Sequence, residues 1–308
     1  MADRKAVSLM AEADGVAMRR AAWASLGVSL VLTALKFGAF VLTNSVAMLA
    51  SFADSAMDLF TSTLNLFAIH SALQPADREH RFGHGKAEPL AGMAQFAFIA
   101  GSAVFLVIQG VDRLIHPEAV GNPTGALAVI GLSIAANIGL IVYQRRVARQ
   151  TGSLAIGADA AHYLGDLASN IGVVIAVVCA TWLHWRLADP LIALGVAGLL
   201  VWTALGVFRA SYDQLMDREL PDHDRARIKA IVNRHEDVMS LHDLRTRAAG
   251  VNSFIQLHLE LDPQMSLIRA HQICDEVEHE ICRAFPNAEV IIHQDPAGVE
   301  MPVPLAAS

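Results

Sequence analysis

The sequence predicts a membrane protein with an all-α domain of six transmembrane helices at residues 1–212 and an α+β domain at residues 213–308. Of its 308 residues, 54% are hydrophobic and only 17% are charged, which is too apolar for a soluble protein of this length. Six apolar stretches precede residue 213, and each has the length of about 20 residues that a helix needs to cross a bilayer. A mixed polar and apolar composition replaces them from residue 213 onward.

The six apolar stretches are residues 22–43, 45–73, 89–111, 124–143, 158–183 and 190–212. Lysine and arginine residues cluster before the first stretch, between the second and third, and between the fourth and fifth. The opposite connections hold only Arg113 and Arg186. Because cytoplasmic loops carry the excess of basic residues, we expect a multi-pass protein of the inner (plasma) membrane with both termini in the cytoplasm.

The segment after residue 212 alternates between helical and extended patterns. Helical spacing occurs at residues 222–235 and 266–285, and strand patterns occur at residues 240–248, 252–262 and 288–295. The sequence AAGVN between the first two strands is typical of a turn, which predicts a hairpin. The order α-β-β-α-β predicts helices packed on one face of a small sheet.

Composition also excludes some functions. A net charge of −7 without a basic stripe argues against nucleic acid as a partner. The first 20 residues are charged and lack a short apolar core, so no cleaved signal peptide is expected. The three cysteines have no spacing that predicts disulfides or a cysteine-based zinc site.

Two of the apolar stretches carry paired ionisable residues. Asp54 and Asp58 in the second, like His162 and Asp166 in the fifth, are four residues apart and share a helix face. A charged side chain at the bilayer centre costs about 2.5–3.5 kcal/mol on insertion scales, so such groups are paired or functional. Three carboxylates and one imidazole suit a tetrahedral divalent metal such as zinc. Polar contacts between helices are the alternative, and the matched spacing favours the metal.

Other polar residues in the apolar stretches receive structural interpretations. We expect Lys36 to pair with an acid of a neighbouring helix. We expect Gln95 and Asn137 to form hydrogen bonds between helices.

Two further groups of possible metal ligands lie outside the apolar stretches. The loop after the second stretch contains Asp77, His80 and His84, spaced as D-x2-H-x3-H. The segment after residue 212 contains His242, His258, His271, His293 and Asp295. Spacing alone leaves both groups open, since loop histidines are often solvated and strand histidines are often satisfied by neighbours.

Five motifs together resemble one family. FADSAMD, QPADREHRFGHGKAE, HYLGD, HDLRTR and VIIHQDP occur in this order across nearly the whole chain. They are similar to the cation diffusion facilitator family, in particular to its bacterial zinc and iron efflux transporters of the YiiP/FieF type. The resemblance implies a homodimer with six helices per protomer and a cytoplasmic domain of metallochaperone-like fold.

The resemblance also implies roles for particular residues. It implies three metal sites, which are a transport site of Asp54, Asp58, His162 and Asp166, a loop site of Asp77, His80 and His84, and a binuclear cytoplasmic site of His242, His258, His271, His293 and Asp295. Asp295 is the implied bridging carboxylate of the binuclear site. Lys86 and Asp217 match a charge pair that links the membrane and cytoplasmic parts across the dimer.

These features predict a transporter rather than an enzyme. Metal ligands must lose protons to bind, so loading the transport site with Zn²⁺ is expected to release protons. We therefore expect export of Zn²⁺, or of Cd²⁺ or Fe²⁺, from the cytoplasm in exchange for protons by alternating access. A metal-responsive membrane regulator and a passive divalent-metal channel are the alternatives. A membrane metalloprotease is disfavoured because the chain has no H-E-x-x-H motif.

Overall fold

The computed structural model describes residues 2–43, 46–115, 124–182, 185 and 187–299. The described residues form two compact units, one of residues 15–212 and one of residues 213–299 together with residues 2–14. Across these described residues the chain forms eight helices and three strands.

Six long helices precede residue 216. They are α1 (Ala2–Thr43), α2 (Val46–Ala72), α3 (Ala87–Ile115), α4 (Thr124–Thr151), α5 (Leu154–Trp182) and α6 (Ala188–Leu215). Each is longer than the about 20 residues that a bilayer requires. Within the described residues, α1, α3 and α6 contain windows apolar enough to cross a membrane on length and composition alone. The predicted all-α membrane domain is confirmed, and its other three helices include α2 and α5, which carry the paired ionisable residues.

Two helices extend well beyond the apolar stretches that predict them. α1 begins at Ala2 rather than near residue 22, and its Met18 is already fully buried. No proline occurs in residues 2–21, so nothing stops the helix before the polar flank ends. α4 continues eight residues past Tyr143 to Thr151. Arginine side chains in its last turns favour this extension because cations stabilise the carboxyl end of a helix dipole.

Close approaches between helices position α5. A Cβ atom at Gly165 would overlap the Leu200 side chain, so α6 packs directly against α5 beside Asp166. At the amino end of α5, the buried Glu88 of α3 accepts hydrogen bonds from Ser153 Oγ at 2.5 Å and from the Ala155 N–H at 3.2 Å. An acid at a helix amino end satisfies free N–H groups and stabilises the helix dipole. Glu88 therefore ties α3 to the start of α5.

The second unit contains the only sheet among the described residues. Its elements are α7 (Asp222–Val232), β1 (Ser240–Ala249), β2 (Asn252–Leu261), α8 (Leu267–Ala284) and β3 (Ala288–Pro296). The sheet order is β1-β2-β3, with β1 antiparallel and β3 parallel to β2. Gly250, with a φ of 62°, provides the left-handed turn between β1 and β2. The predicted α-β-β-α-β order and hairpin are confirmed.

The core of this unit lies on one face of the sheet. Ile255, Leu257 and Leu259 of β2 pack in one buried cluster with Ile273 and Val277 of α8. Because side chains alternate between faces along a strand, the even-numbered residues of β2 lie on the face away from the helices. The side chain of His258 belongs to that second face.

Candidate metal sites

The membrane unit holds a buried cluster formed by α2 and α5. The carboxylate Oδ1 of Asp58 lies 3.2 Å from Nε2 of His162, and Oδ2 of Asp166 lies 3.7 Å from the same nitrogen. The three side chains are 14%, 8% and 23% exposed, in the order Asp58, His162 and Asp166. The spacing of four residues brings His162 and Asp166 together on α5, and helix packing adds Asp58 from α2. Ligand atoms of all three lie within 4.8 Å of one another.

A cavity of about 200 Å³ adjoins this cluster. Asp54 lines the cavity beside Asp58, but it is outside the group of three whose ligand atoms converge. The α5 residues on the cavity wall run from His162 to Asn170, toward the carboxyl end of α5. The cluster therefore faces a space that an ion can occupy.

Lys36 and Asn137 line the same cavity. The Lys36 ammonium donates a hydrogen bond to Ser55 Oγ at 2.6 Å, a hydroxyl where we expected a carboxylate. Its positive charge still shares the cavity with Asp54 and Asp58. Asn137 Oδ1 is buried without a hydrogen-bond partner among the described residues, so the expected bond between helices is not formed by this atom.

The cluster suits a divalent cation chemically. An imidazole nitrogen and carboxylate oxygens are ligands for zinc and related metals once they have lost their protons. Asp166 Oδ2 is buried and accepts no hydrogen bond from any described residue. Buried polar atoms nearly always have partners, so an oxygen left free beside a cavity favours a ligand there.

A second buried layer of polar side chains lies on the other side of His162. Asp159 is fully buried and accepts hydrogen bonds from Gln144 Nε2 at 2.5 Å and from Gln95 Nε2 at 3.4 Å. The bond between helices expected for Gln95 is therefore confirmed. Sequence reasoning missed Gln144. It lies in α4 whereas Asp159 lies in α5, so no neighbouring residue in the sequence indicates that the two side chains meet.

The hydroxyl of Tyr163 belongs to the same layer. It lies 2.6 Å from Ser29 Oγ of α1 and 2.7 Å from Ser62 Oγ of α2. All three residues are 0–1% exposed. This hydroxyl cluster, which sequence reasoning also missed, joins three helices directly behind the imidazole of His162.

The loop between α2 and α3 brings its three predicted ligands together. Asp77 lies 3.5 Å from His80 Nδ1 and 3.4 Å from His84 Nε2. Gly83 has a φ of 76°, which allows the tight turn between the two histidines. The backbone N–H of His80, with that of Glu79, bonds the Asp77 carboxylate and lowers its pKa. The carboxylate is therefore held ionised, as a metal ligand must be.

The sheet register assembles the cytoplasmic cluster. His242 pairs with His258 across the antiparallel strands, and His258 pairs with His293 across the parallel strands. The three histidines consequently form one row across the sheet, with neighbouring rings 5.1 and 4.7 Å apart. Asp295, two residues beyond His293, shares their face of the sheet.

Asp295 is the centre of this cluster. Its carboxylate oxygens lie 3.3 Å from His242 Nε2, 2.8 Å from His258 Nδ1 and 3.3 Å from His293 Nε2. Both ring nitrogens of His242 are buried without a hydrogen-bond partner among the described residues. Nitrogens left free next to a carboxylate fit a bound metal, because a satisfied structural histidine would use at least one of them.

Two carboxylates near this cluster escaped sequence reasoning. Glu260 lies 3.6 Å from His242 Nδ1, and Asp243 lies 3.8 Å from His258 Nε2. Asp243 adopts a φ of 46° where the β1–β2 register shifts. The bulge that aims this side chain has no sequence signature, although strand alternation places Glu260 on the face of His258.

Three remaining predicted residues lie apart from these groups. His271 is on α8, is 70% exposed and lies 3.8 Å from Asp275. It is outside the group formed by His242, His258 and Asp295. Asp217 lies 3.4 Å from the guanidinium of Arg247 in the second unit. Lys86 begins the turn that leads into α3 in the first unit.

Ionisable side chains that face a cavity inside a helical membrane domain are typical of ion pathways, which defines the class as a membrane cation transporter. Two family models match the chain. The cation efflux transmembrane domain matches residues 22–216, and the cytoplasmic domain of cation efflux proteins matches residues 220–297. The chain belongs to this family of cation-efflux transporters, the cation diffusion facilitators, and is a multi-pass membrane protein rather than an enzyme.

Curated relatives agree over almost the full length. The chain is 40% identical over 290 residues to the cation-efflux pump FieF of Klebsiella pneumoniae, covering 94% of this chain and 96% of the relative. It is 42% identical over 282 residues to the FieF of Yersinia pestis, covering 92% of this chain and 94% of the relative.

A solved metal-bound C-terminal domain of the CzcD transporter from Thermotoga maritima is 29% identical, covering 25% of this chain and 91% of that domain, with a TM-score of 0.24.

If the cytoplasmic cluster binds zinc, the metal should stabilise this domain. For a ligand that binds only the folded form, a concentration about 100 times its Kd adds about 2.7 kcal/mol to the free energy of unfolding. We predict that zinc raises the melting temperature of a 213–308 fragment and that His258→Ala or Asp295→Ala removes most of this increase. His223→Ala, which changes an exposed histidine of α7, should keep it. An undiminished increase in the two cluster variants would show that the cluster binds no metal.

Proposed function

We propose that this transporter exports Zn²⁺ from the cytoplasm across the inner membrane in exchange for protons. The observation that carries the proposal is the buried convergence of Asp58, His162 and Asp166 on a cavity that Asp54 also lines. Cd²⁺ or Fe²⁺ fits the same ligands and is the alternative cargo. The relatives described above are named as cation-efflux pumps, which supports export as the direction.

The ligand types support zinc among the divalent ions. One imidazole and up to three carboxylates provide four donors, the number that zinc takes in a tetrahedral site. Mg²⁺ and Ca²⁺ prefer six or more oxygens, and affinity for nitrogen ligands rises from Mn²⁺ toward Zn²⁺. The single nitrogen, from His162, therefore gives zinc an advantage over the harder ions.

Exchange for protons follows from the same ligands. Each carboxylate or imidazole must be free of its proton to bind the metal, so metal and protons compete for Asp58, His162 and Asp166. Protons that enter from outside displace the metal there, and loss of those protons on the cytoplasmic side restores the site. A metal gradient and a proton gradient are then coupled at three side chains.

Alternating access is supported by the unequal surroundings of His162. On the side toward the carboxyl end of α5, the cavity extends to Asn170. On the other side, Asp159 and Tyr163 are sealed in hydrogen-bonded layers with no more than 1% exposure. With both termini in the cytoplasm, the open side is the external side. Repacking of the sealed layer would expose the site to the cytoplasm.

We propose that residues 1–212 form the transmembrane domain and residues 213–308 a cytoplasmic domain that binds metal and dimerises. The family match to the cytoplasmic domain supports this division.

α8 packs on the face of the sheet opposite to His258, so His271 does not join the cluster of its own subunit. We propose that His271 of a second copy completes the binuclear site in a homodimer. Zinc affinity of the dimer that is unchanged by His271→Ala would contradict this role.

We propose that the loop cluster of Asp77, His80 and His84 is a third metal site, which the approach of both histidines to Asp77 supports. We also propose that Lys86 and Asp217 form the charge pair that links the membrane and cytoplasmic parts across the dimer. A double-mutant cycle with charge reversals at both positions checks the pair, since contacting residues show non-additive effects. Additive losses would mean that the two charges do not interact.

A passive channel and a metal-responsive regulator are the competing functions. One observation favours the regulator. The cytoplasmic cluster, like the membrane cluster, brings histidine nitrogens close to a carboxylate. Flux measurements separate the three functions, because only an exchanger is driven by a proton gradient and a regulator carries no flux.

For an exchanger, an imposed pH gradient should drive zinc uptake into proteoliposomes, and Asp58→Ala or Asp166→Ala should abolish this uptake. Each variant removes a donor from a site that has no spare donor. His70→Ala, which changes an exposed histidine in the last turn of α2, is the matched control and should transport normally. Gradient-driven uptake that persists in both aspartate variants would exclude this site, and uptake that ignores the gradient would indicate a channel.

Selectivity should depend on the single nitrogen ligand. In His162→Asp the site has only hard oxygen donors, so the ratio of Zn²⁺ flux to Mn²⁺ flux should fall. The pH dependence of zinc flux should become shallower, because a group that exchanges its proton for the metal has been replaced. Flux of both ions through the purified variant, measured over a range of pH, gives both quantities. An unchanged ratio together with an unchanged pH profile would remove His162 from selection and from coupling.

A further inference from the structure

A second, smaller cavity adjoins the transport cavity. It has a volume of about 70 Å³ and lies between α5 and α6, where Gly172 and Val196 form part of its wall. Leu106 and Ser169 line both this cavity and the one that contains Asp58 and His162. These two side chains therefore form the partition between the two spaces.

Asp189 lines the small cavity and is one half of an ion pair. Its Oδ2 lies 2.5 Å from Nη1 of Arg113. Arg113 is in the last turn of α3 and Asp189 is in the first turn of α6, at the helix ends opposite the 73–86 loop. The Asp189 side chain is 23% exposed and that of Arg113 is 48% exposed. The carboxylate consequently stands between the small cavity and the surface of the bundle.

We propose that Asp189 is an exit subsite for the divalent cation and that Arg113 is a tethered cation that competes for it. This inference rests on the proposed function. A cation that leaves the transport site past Leu106 and Ser169 meets the Asp189 carboxylate next. Carboxylate oxygen is a ligand for each of the proposed metals.

The competing arginine explains why such a subsite would release its ion. A free carboxylate at the mouth of the pathway would hold a divalent cation and slow its departure. A guanidinium keeps its charge at all physiological pH values and returns to the carboxylate as the metal leaves. Metal and Arg113 thus alternate on Asp189, which keeps the affinity of the subsite low.

The inference predicts opposite effects for the two halves of the pair. The test is zinc flux through the full-length protein in proteoliposomes, with Zn²⁺ added on the release side as an inhibitor. Asp189→Asn should raise the Zn²⁺ concentration for half-inhibition about threefold, and Arg113→Gln should lower it about threefold. A change of about threefold is the effect expected from one partly exposed charge. Arg113→Lys and Asp189→Glu, which keep the charges, should stay near the unmodified protein.

An ion pair that only fastens α3 to α6 would give a different result. Asp189→Asn and Arg113→Gln would then both lower thermal stability. They would shift the half-inhibiting Zn²⁺ concentration in the same direction, or would not shift it, and either of these two results overturns the exit subsite. Arg283→Gln and Glu280→Gln remove the same charges from an ion pair on α8 and should shift nothing. Failure of the proposed function is recognised separately, because zinc flux would then be absent or would persist in His162→Ala. Failure of the exit subsite alone leaves zinc flux and its dependence on His162 intact and removes only the opposite shifts of the two neutral variants.

Discussion

The cost of placing charged groups inside a membrane governs the arrangement of this protein. The free-energy cost of burying Asp58, His162 and Asp166 in the bundle is offset because the three side chains lie close to one another and share one cavity. The same constraint explains the layer behind them, where amides surround Asp159 and hydroxyls surround the Tyr163 oxygen. Charge pairing and hydrogen bonding thus join α5 to α1, α2, α3 and α4.

The two domains bring their predicted metal ligands together in different ways. In the membrane, helix periodicity brings together residues four apart, and packing joins one such pair to another helix. In the cytoplasmic domain, strand register places His242, His258 and His293 in one row, and alternation adds Asp295. A shift of one residue in either pairing would turn a histidine toward the hydrophobic core, so the core on the other face also maintains the cluster.

Site residues in the membrane helices were predictable from the sequence. Asp54, Asp58, His162 and Asp166 stood out because apolar sequence surrounds them. The strand histidines did not stand out, since His258 fits the alternation of its strand, and only the resemblance to the family assigned them to a site. Asp243 was not predicted because a bulge directs its side chain toward the cluster. Gln144 was not predicted because nothing near it in the sequence indicates that Asp159 accepts its hydrogen bond. α1 also begins earlier than its apolar stretch, since hydropathy marks the membrane-crossing part of a helix and not where the helix begins.

The sequence by itself determined that this is a membrane protein, and it determined the six membrane helices, the α-β-β-α-β order and the residue types that can bind metal. These follow from periodicity and composition, which are local properties. Only the tertiary structure decided that three of the four predicted membrane ligands converge while Asp54 remains on the cavity wall, and that His271 lies apart from the cytoplasmic cluster. It also decided that Asp189 borders a cavity next to the one that Asp58 and His162 line. Such relations depend on how distant helices and strands pack, and no short stretch of sequence encodes them.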